Sequence, residues 1–122
     1  MVTNVTSLGR SGLFDWVIQR VSAVILAAYT LCILGWFMVN PEPTYAAWSA
    51  SFDSTGMRIF SLLALLSLVA HAWIGIWTVS TDYLTPLALG NKATAVRFVF
   101  QCVCAVVLFI YLVWGIEILW GI

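Results

Sequence analysis

The sequence predicts an all-α integral membrane protein, with three transmembrane helices in a single domain covering residues 1–122. Composition is the first observation behind this prediction: 63% of the 122 residues are hydrophobic and only 8% are charged, whereas soluble domains usually carry about 25% charged residues. The second is the presence of three long apolar stretches. Each can cross a bilayer core about 30 Å thick, which needs a helix of roughly 20 residues.

The predicted spans cover residues 21–39, 59–81 and 98–116, and each begins directly after an arginine. None contains a proline, which would interrupt helical hydrogen bonds. The connectors have residues typical of helix ends and turns. Residues 40–43 form a stop after the first span, residues 53–55 can cap the second, and Pro86 with Gly90 and Asn91 predicts a turn.

The first span is expected to be a retained helix and not a cleaved signal peptide. Its apolar stretch is longer than the usual 7–15 residues of a signal sequence, and no A-x-A-like cleavage site follows it. The preceding segment, residues 11–19, could lie along the inner membrane surface.

The distribution of basic residues predicts the orientation. Arg10, Arg20, Lys92 and Arg97 share one side of the membrane, and only Arg58 lies on the other. By the positive-inside rule, the amino terminus is cytoplasmic and the carboxyl terminus lies outside. Aromatic residues typical of membrane interfaces stand near the span ends: Trp16, Tyr45, Trp48, Tyr83 and Trp120.

Composition also excludes some classes of function. The formal net charge is zero and there is no basic run, so no nucleic-acid partner is expected. The three cysteines, Cys32, Cys102 and Cys104, all lie in apolar segments and are expected to be free small apolar residues.

His71 is the principal candidate for a functional residue. It lies thirteen residues after Arg58 and eleven before Asp82, which places it near the bilayer midplane, where an ionisable side chain is costly and marks a candidate site. One interpretation is a neutral histidine that hydrogen-bonds to a neighbouring helix. The other is ligation of a haem iron, for which imidazole is a common axial ligand. Gly75, one turn further along, would leave space for a flat macrocycle.

A haem at this depth would require a second polypeptide. The chain has a single histidine, and its methionines lie near the span ends or the amino terminus. A six-coordinate haem iron would therefore take its other axial ligand from another chain.

Asp82 and Tyr83 stand at the predicted inner end of the second span. Asp82 lies on nearly the same helical face as His71, about 16 Å along the axis, and Tyr83 is turned by about 120°. The phenol could donate a hydrogen bond to a carbonyl-bearing ligand such as a quinone, or these residues could simply be an aromatic belt residue and a charged helix end. Arg20 is either a positive-inside marker or a partner for a haem propionate.

The run from His71 to Gly75, followed by Thr81-Asp82-Tyr83, resembles the signature of the hydrophobic membrane anchor subunits of succinate dehydrogenase (respiratory complex II), of the D-chain type. The opening residues 1–10, the stretch 62–66 and Pro86-Leu87-Ala88-Leu89 are also similar to proteobacterial members. The resemblance extends over essentially the whole chain.

This resemblance implies half of a heterodimeric helical anchor in the bacterial inner membrane. It implies that His71 is one axial ligand of a haem b shared with a second, cytochrome b556-type anchor subunit, that Arg20 contacts a haem propionate, and that Tyr83, with Asp82 beside it, binds ubiquinone. The other implied partners are an iron–sulfur subunit and a flavoprotein. No flavin motif and no cysteine cluster occurs in the sequence, so no catalytic residue is assigned and this chain is expected to anchor the complex.

Three alternatives remain open at this point. The first is an anchor of a fumarate reductase, although some of those anchors lack the haem histidine. The second is a transport component with His71 in a proton relay, which would require further ionisable residues at membrane depth. The third is a purely structural membrane scaffold.

Overall fold

The computed structural model describes residues 11–121, so the predictions that concern Arg10 and the opening motif of residues 1–10 lie outside the described residues. The described part is mostly helical and contains no strand. Its elements, in chain order, are α1 (Gly12–Val39), α2 (Tyr45–Ala50), α3 (Thr55–Tyr83), α4 (Pro86–Leu89), a 3₁₀ turn (Gly90–Lys92) and α5 (Ala93–Trp120).

The three long helices α1, α3 and α5 confirm the predicted all-α fold, because each is long and apolar enough to cross a membrane. The predicted spans lie inside these helices. Helix α1 extends beyond the predicted span at its amino-terminal end only, and α3 and α5 extend beyond theirs at both ends. The placement of residues 11–19 as a separate surface segment is wrong. Ser11 caps α1 by accepting a hydrogen bond from the backbone N–H of Phe14 at 3.2 Å, and residues 12–19 are the first turns of the same continuous helix.

Local signals at two helix ends act as predicted. The backbone N–H of Asn40 donates to the carbonyl of Trp36, which ends α1 at Val39. The side chain of Ser54 accepts from the backbone N–H of Met57 at 3.2 Å and so caps the start of α3. Both ends depend on residues within four positions in the chain, which explains why the sequence predicts them.

The connector between α1 and α3 contains a helix that the sequence did not predict. Thr44 caps α2 by accepting from the backbone N–H of Ala47 at 3.1 Å. Trp48 then packs against aromatic rings from the end of α1 and from the connector, with centroid distances of 5.1 Å to Trp36, 5.0 Å to Phe37 and 4.8 Å to Phe52. This aromatic cluster holds the connector against the end of α1.

The turn predicted around Pro86 is a short helix followed by a 3₁₀ turn. Proline at the first position of α4 needs no N–H partner, and the side chain of Thr85 caps this helix. Gly90 then has a φ of +63°, a left-handed value that glycine adopts without steric cost. The chain can therefore reverse direction before α5.

Helix α3 packs against both α1 and α5. The buried residues of the described chain are mostly small, which allows helices in a membrane to approach closely and gain van der Waals contact: Ser22, Ser61, Ala64, Ser67, Ile74, Ser80 and Ala93. The outer faces of all three helices expose large apolar side chains. Lipid or other membrane helices must cover these faces.

Candidate functional site

His71 lies in the interior of α3, half-buried, sixteen residues after the first residue of the helix and twelve before the last. Its Nδ1 atom lies 3.0 Å from the hydroxyl oxygen of Ser22 on α1. The same hydroxyl donates to the carbonyl of Gln19 at 3.1 Å. The imidazole is therefore tied through one nitrogen to the neighbouring helix.

This contact bears on both interpretations of His71. A histidine that only joins two helices would make such a bond, and Ser22 supplies its partner. The bond occupies Nδ1 alone, however, and no described residue hydrogen-bonds to Nε2. The second nitrogen is thus available to a ligand from outside this chain.

Gly75 follows His71 by one turn. The sequence predicts open space beside it for a flat macrocycle, but the structure places a side chain of α1 there. A Cβ atom built on Gly75 would lie 3.9 Å from the side-chain nitrogen of Gln19, so α1 covers this position. The Oε1 atom of Gln19 is fully enclosed without a hydrogen-bond partner, as are the indole nitrogens of Trp73 and Trp77 on α3. Buried polar atoms are normally paired. Gln19 precedes Ser22 by three residues on α1, whereas Trp73 and Trp77 are turned about 160° and 120° away from His71 around α3.

Arg20 lines a cleft between α1 and α3 with a volume of about 250 Å³. On α3 the cleft is bounded by Ile74 and Thr78, three and seven residues after His71 and therefore on the same helical face. The guanidinium carbon of Arg20 lies 5.5 Å from the centroid of the Trp16 ring, within the range of a cation–π interaction. The remaining lining residues are Asp15, Trp16 and Gln19.

Asp82 and Tyr83 are the last two residues of α3. Both are exposed, Tyr83 to 72%, and no hydrogen bond joins either side chain to another described residue. The six residues that line the Arg20 cleft include neither of them. The structure therefore brings Arg20 close to the face of His71 and leaves the Asp82–Tyr83 pair apart, with its phenol and carboxylate accessible.

The donor set fits one half of a haem site. Among the described residues, no group of three or more His, Cys, Asp or Glu side chains could hold a metal ion by itself. A haem iron needs less from the protein, because the porphyrin supplies the equatorial nitrogens and each protein chain can contribute a single axial ligand. One anchored imidazole with an unbonded Nε2 meets that requirement.

Sequence reasoning did not single out Ser22 or Gln19. Both lie on the α1 side of the contact with His71, and Ser22 is only 4% exposed. A signal was present, because Ser22 is a polar residue inside the first apolar span, and serine side chains in membrane helices can hydrogen-bond across to another helix.

The comparisons with known proteins identify the family of this chain. Residues 3–88, a segment that contains His71, Asp82 and Tyr83, match the family described as succinate dehydrogenase/fumarate reductase transmembrane subunit. The chain is also 34% identical over 111 residues to the succinate dehydrogenase hydrophobic membrane anchor subunit of Coxiella burnetii, an alignment that covers 91% of this chain and 90% of that relative. The chain therefore belongs to the succinate dehydrogenase and fumarate reductase family of transmembrane subunits.

Proposed function

We propose that this chain is the membrane anchor subunit of a bacterial succinate:ubiquinone oxidoreductase, and that it provides one axial histidine to a haem b and one part of a ubiquinone site. The observation that carries the proposal is the arrangement of His71. Its imidazole is fixed to α1 through Nδ1, and Nε2 has no hydrogen-bond partner among the described residues.

His71 would hold the iron through Nε2, at mid-depth in α3. When bound, a haem supplies a site that can accept and release one electron reversibly. Arg20 would form charge-assisted hydrogen bonds to a propionate, since its cleft opens beside Ile74 and Thr78 on the His71 face. The enclosed Oε1 of Gln19, a residue that lines the same cleft, would find a partner in ordered water there.

The proposed partners rest on the single histidine and on the family to which the chain belongs. A single histidine in the chain means that the other axial ligand comes from a second hydrophobic anchor subunit, which would cover part of the exposed apolar surface of the helices. An iron–sulfur subunit and a flavoprotein subunit would dock on the cytoplasmic side, where the basic residues concentrate. Succinate would be oxidised on the flavoprotein, outside this chain.

Tyr83 and Asp82 would form one wall of the ubiquinone site at the cytoplasmic end of α3. The exposed phenol can donate a hydrogen bond to a quinone carbonyl. Ubiquinone then gains electrons from the iron–sulfur subunit and protons from the cytoplasmic side to become ubiquinol. The adjacent carboxylate of Asp82 would orient the phenol or a water molecule between them.

The test uses the whole complex, purified through a tag on this chain. We expect flavoprotein, iron–sulfur and second anchor subunits to co-purify, together with a low-spin haem b. The His71→Gly variant should lose the low-spin spectrum, and added imidazole should restore it by filling the vacated position. As a control, Gly35→Ala changes a position near the end of α1 that has no neighbour within 4 Å and should keep the spectrum. An unchanged low-spin haem in His71→Gly would refute the axial role of His71.

A fumarate reductase anchor is the second candidate, because the matching family includes both enzymes. The two functions differ in the quinone they use and in the direction of net electron flow. Assays of the purified complex with ubiquinone and succinate, and with menaquinol and fumarate, would separate them. Faster fumarate reduction by menaquinol would favour this second candidate.

A further inference from the structure

Ser22 is the only buried residue of α1, all of which is described. Its hydroxyl oxygen has two neighbours at hydrogen-bond distance, the carbonyl of Gln19 at 3.1 Å and Nδ1 of His71 at 3.0 Å. A serine hydroxyl carries one proton and can both donate and accept. The acceptor to which Ser22 donates therefore decides which ring nitrogen of His71 carries the imidazole proton.

With the Ser22 proton donated to Gln19, the hydroxyl can only accept from His71, and Nδ1 must carry the imidazole proton. A neutral imidazole has one N–H, so Nε2 then has a lone pair. If Ser22 instead donated to Nδ1, the imidazole proton would be on Nε2 and that nitrogen could not bind iron. Histidines that bind metals commonly donate the N–H of their other ring nitrogen in this way, to a partner that fixes the tautomer and the orientation of the ring.

We propose that Ser22 is a positioning residue that selects the Nδ1–H tautomer of His71, fixes the plane of the ring and leaves Nε2 ready for axial ligation. This inference rests on the proposed haem function, but it makes a separate claim about the chain without haem. In the dry interior the bond is stronger than it would be in water. It also increases electron donation by the imidazole, which favours the ferric state of a bound iron.

The tautomer can be measured without haem, because the chain has a single histidine. In the full chain reconstituted in lipid vesicles with ¹⁵N-labelled histidine, solid-state NMR should find the proton on Nδ1. Ser22→Ala should produce a mixture of tautomers, and Ser22→Thr, which keeps the hydroxyl, should restore Nδ1–H. A proton on Nε2 in the unmodified chain would overturn the inference whatever the outcome for haem.

The second measurement uses the purified complex. Ser22→Ala should weaken haem retention by about 10- to 100-fold, raise the haem midpoint potential and alter the low-spin EPR g-values, while Ser22→Thr stays close to the unmodified complex. Thr30→Val is the matched control, because Thr30 also donates from α1 to its own backbone, at 2.8 Å to Leu26, and has no contact with His71. A haem-containing complex whose potential and g-values do not change in Ser22→Ala would overturn the role of Ser22 and leave the proposed function standing. If NMR finds the proton on Nδ1 in the chain but the purified complex contains no haem, the proposed haem function is overturned. The selection of the tautomer by Ser22 then stands.

Discussion

The side-chain amide of Gln101 on α5 donates a hydrogen bond to the hydroxyl of Ser80 on α3, at a nitrogen–oxygen distance of 2.7 Å. Ser80 is completely buried, and its own proton is donated to the carbonyl of Trp77 at 2.8 Å. This bond joins α3 to α5 two residues before Asp82. It therefore fixes the end of α3 from which the proposed quinone residues project.

We expect Gln101→Leu, which keeps the side-chain size and removes the donor, to weaken the packing of α3 against α5. Hydrogen bonds between membrane helices contribute about 0.6 kcal/mol on average, and Ser80 keeps its bond to Trp77, so the loss should be of that order. A double-mutant cycle with Ser80→Ala, measured by unfolding the full chain in mixed micelles, gives the coupling energy. Strictly additive effects of the two substitutions would contradict a direct interaction.

Gly115 on α5 lies directly against the side chain of Leu65 on α3. A Cβ at this position would lie 2.6 Å from Cδ2 of Leu65, so Gly115→Val should destabilise the chain by about 1–3 kcal/mol through overpacking. Shortening the opposing side chain in the Gly115→Val, Leu65→Ala double variant should recover part of this loss. Gly35→Val is the control, since a Cβ there has no neighbour within 4 Å. Equal destabilisation at both glycines would show that contact with Leu65 is not the cause.

Tyr83→Phe removes the proposed hydrogen bond to ubiquinone and keeps the aromatic ring. One neutral hydrogen bond contributes about 1 kcal/mol, so kcat/KM for ubiquinone should fall roughly 5- to 10-fold. Succinate oxidation with a soluble dye as acceptor should not change. Tyr111→Phe, at an exposed position on α5, should leave both activities intact, and full quinone reduction by the Tyr83 variant would exclude the proposed contact.

Arg20→Gln tests the proposed bond to a haem propionate. Hydrogen bonds to charged groups contribute about 1.5–3 kcal/mol, so haem retention by the purified complex should weaken roughly 10- to 100-fold. Haem retention by Arg20→Lys should lie between that of Arg20→Gln and that of the unmodified complex, because lysine keeps the charge but loses the paired donors of the guanidinium. Arg97→Gln removes a base on the same predicted side of the membrane and should retain haem fully. Equal loss in the Arg20 and Arg97 variants would indicate a general effect of charge.

Helix existence and helix ends were predictable from the sequence, because they depend on local chemistry. Three apolar stretches require helices in lipid, where each backbone polar group must be satisfied within its own segment. Ser54 and Asn40 act at helix ends through residues three or four positions away. The depth of His71 also follows from counting along one helix. The short helix α2 was missed, because its stability comes from the contacts of Trp48 with rings of α1 and of the connector.

Which faces of the helices meet could not be predicted in the same way. The long helices are apolar on nearly every side, so the 3.6-residue period that identifies a buried face in a soluble helix is absent. The register of α1 against α3 depends on pairs far apart in the chain, such as Tyr29 with Ser61 at 2.8 Å. The sequence alone therefore determined that one imidazole lies deep in an apolar helix. Only the tertiary structure decided that Ser22, forty-nine residues earlier, meets its Nδ1 and that Gln19 covers Gly75, because close helix packing is a property of two surfaces together.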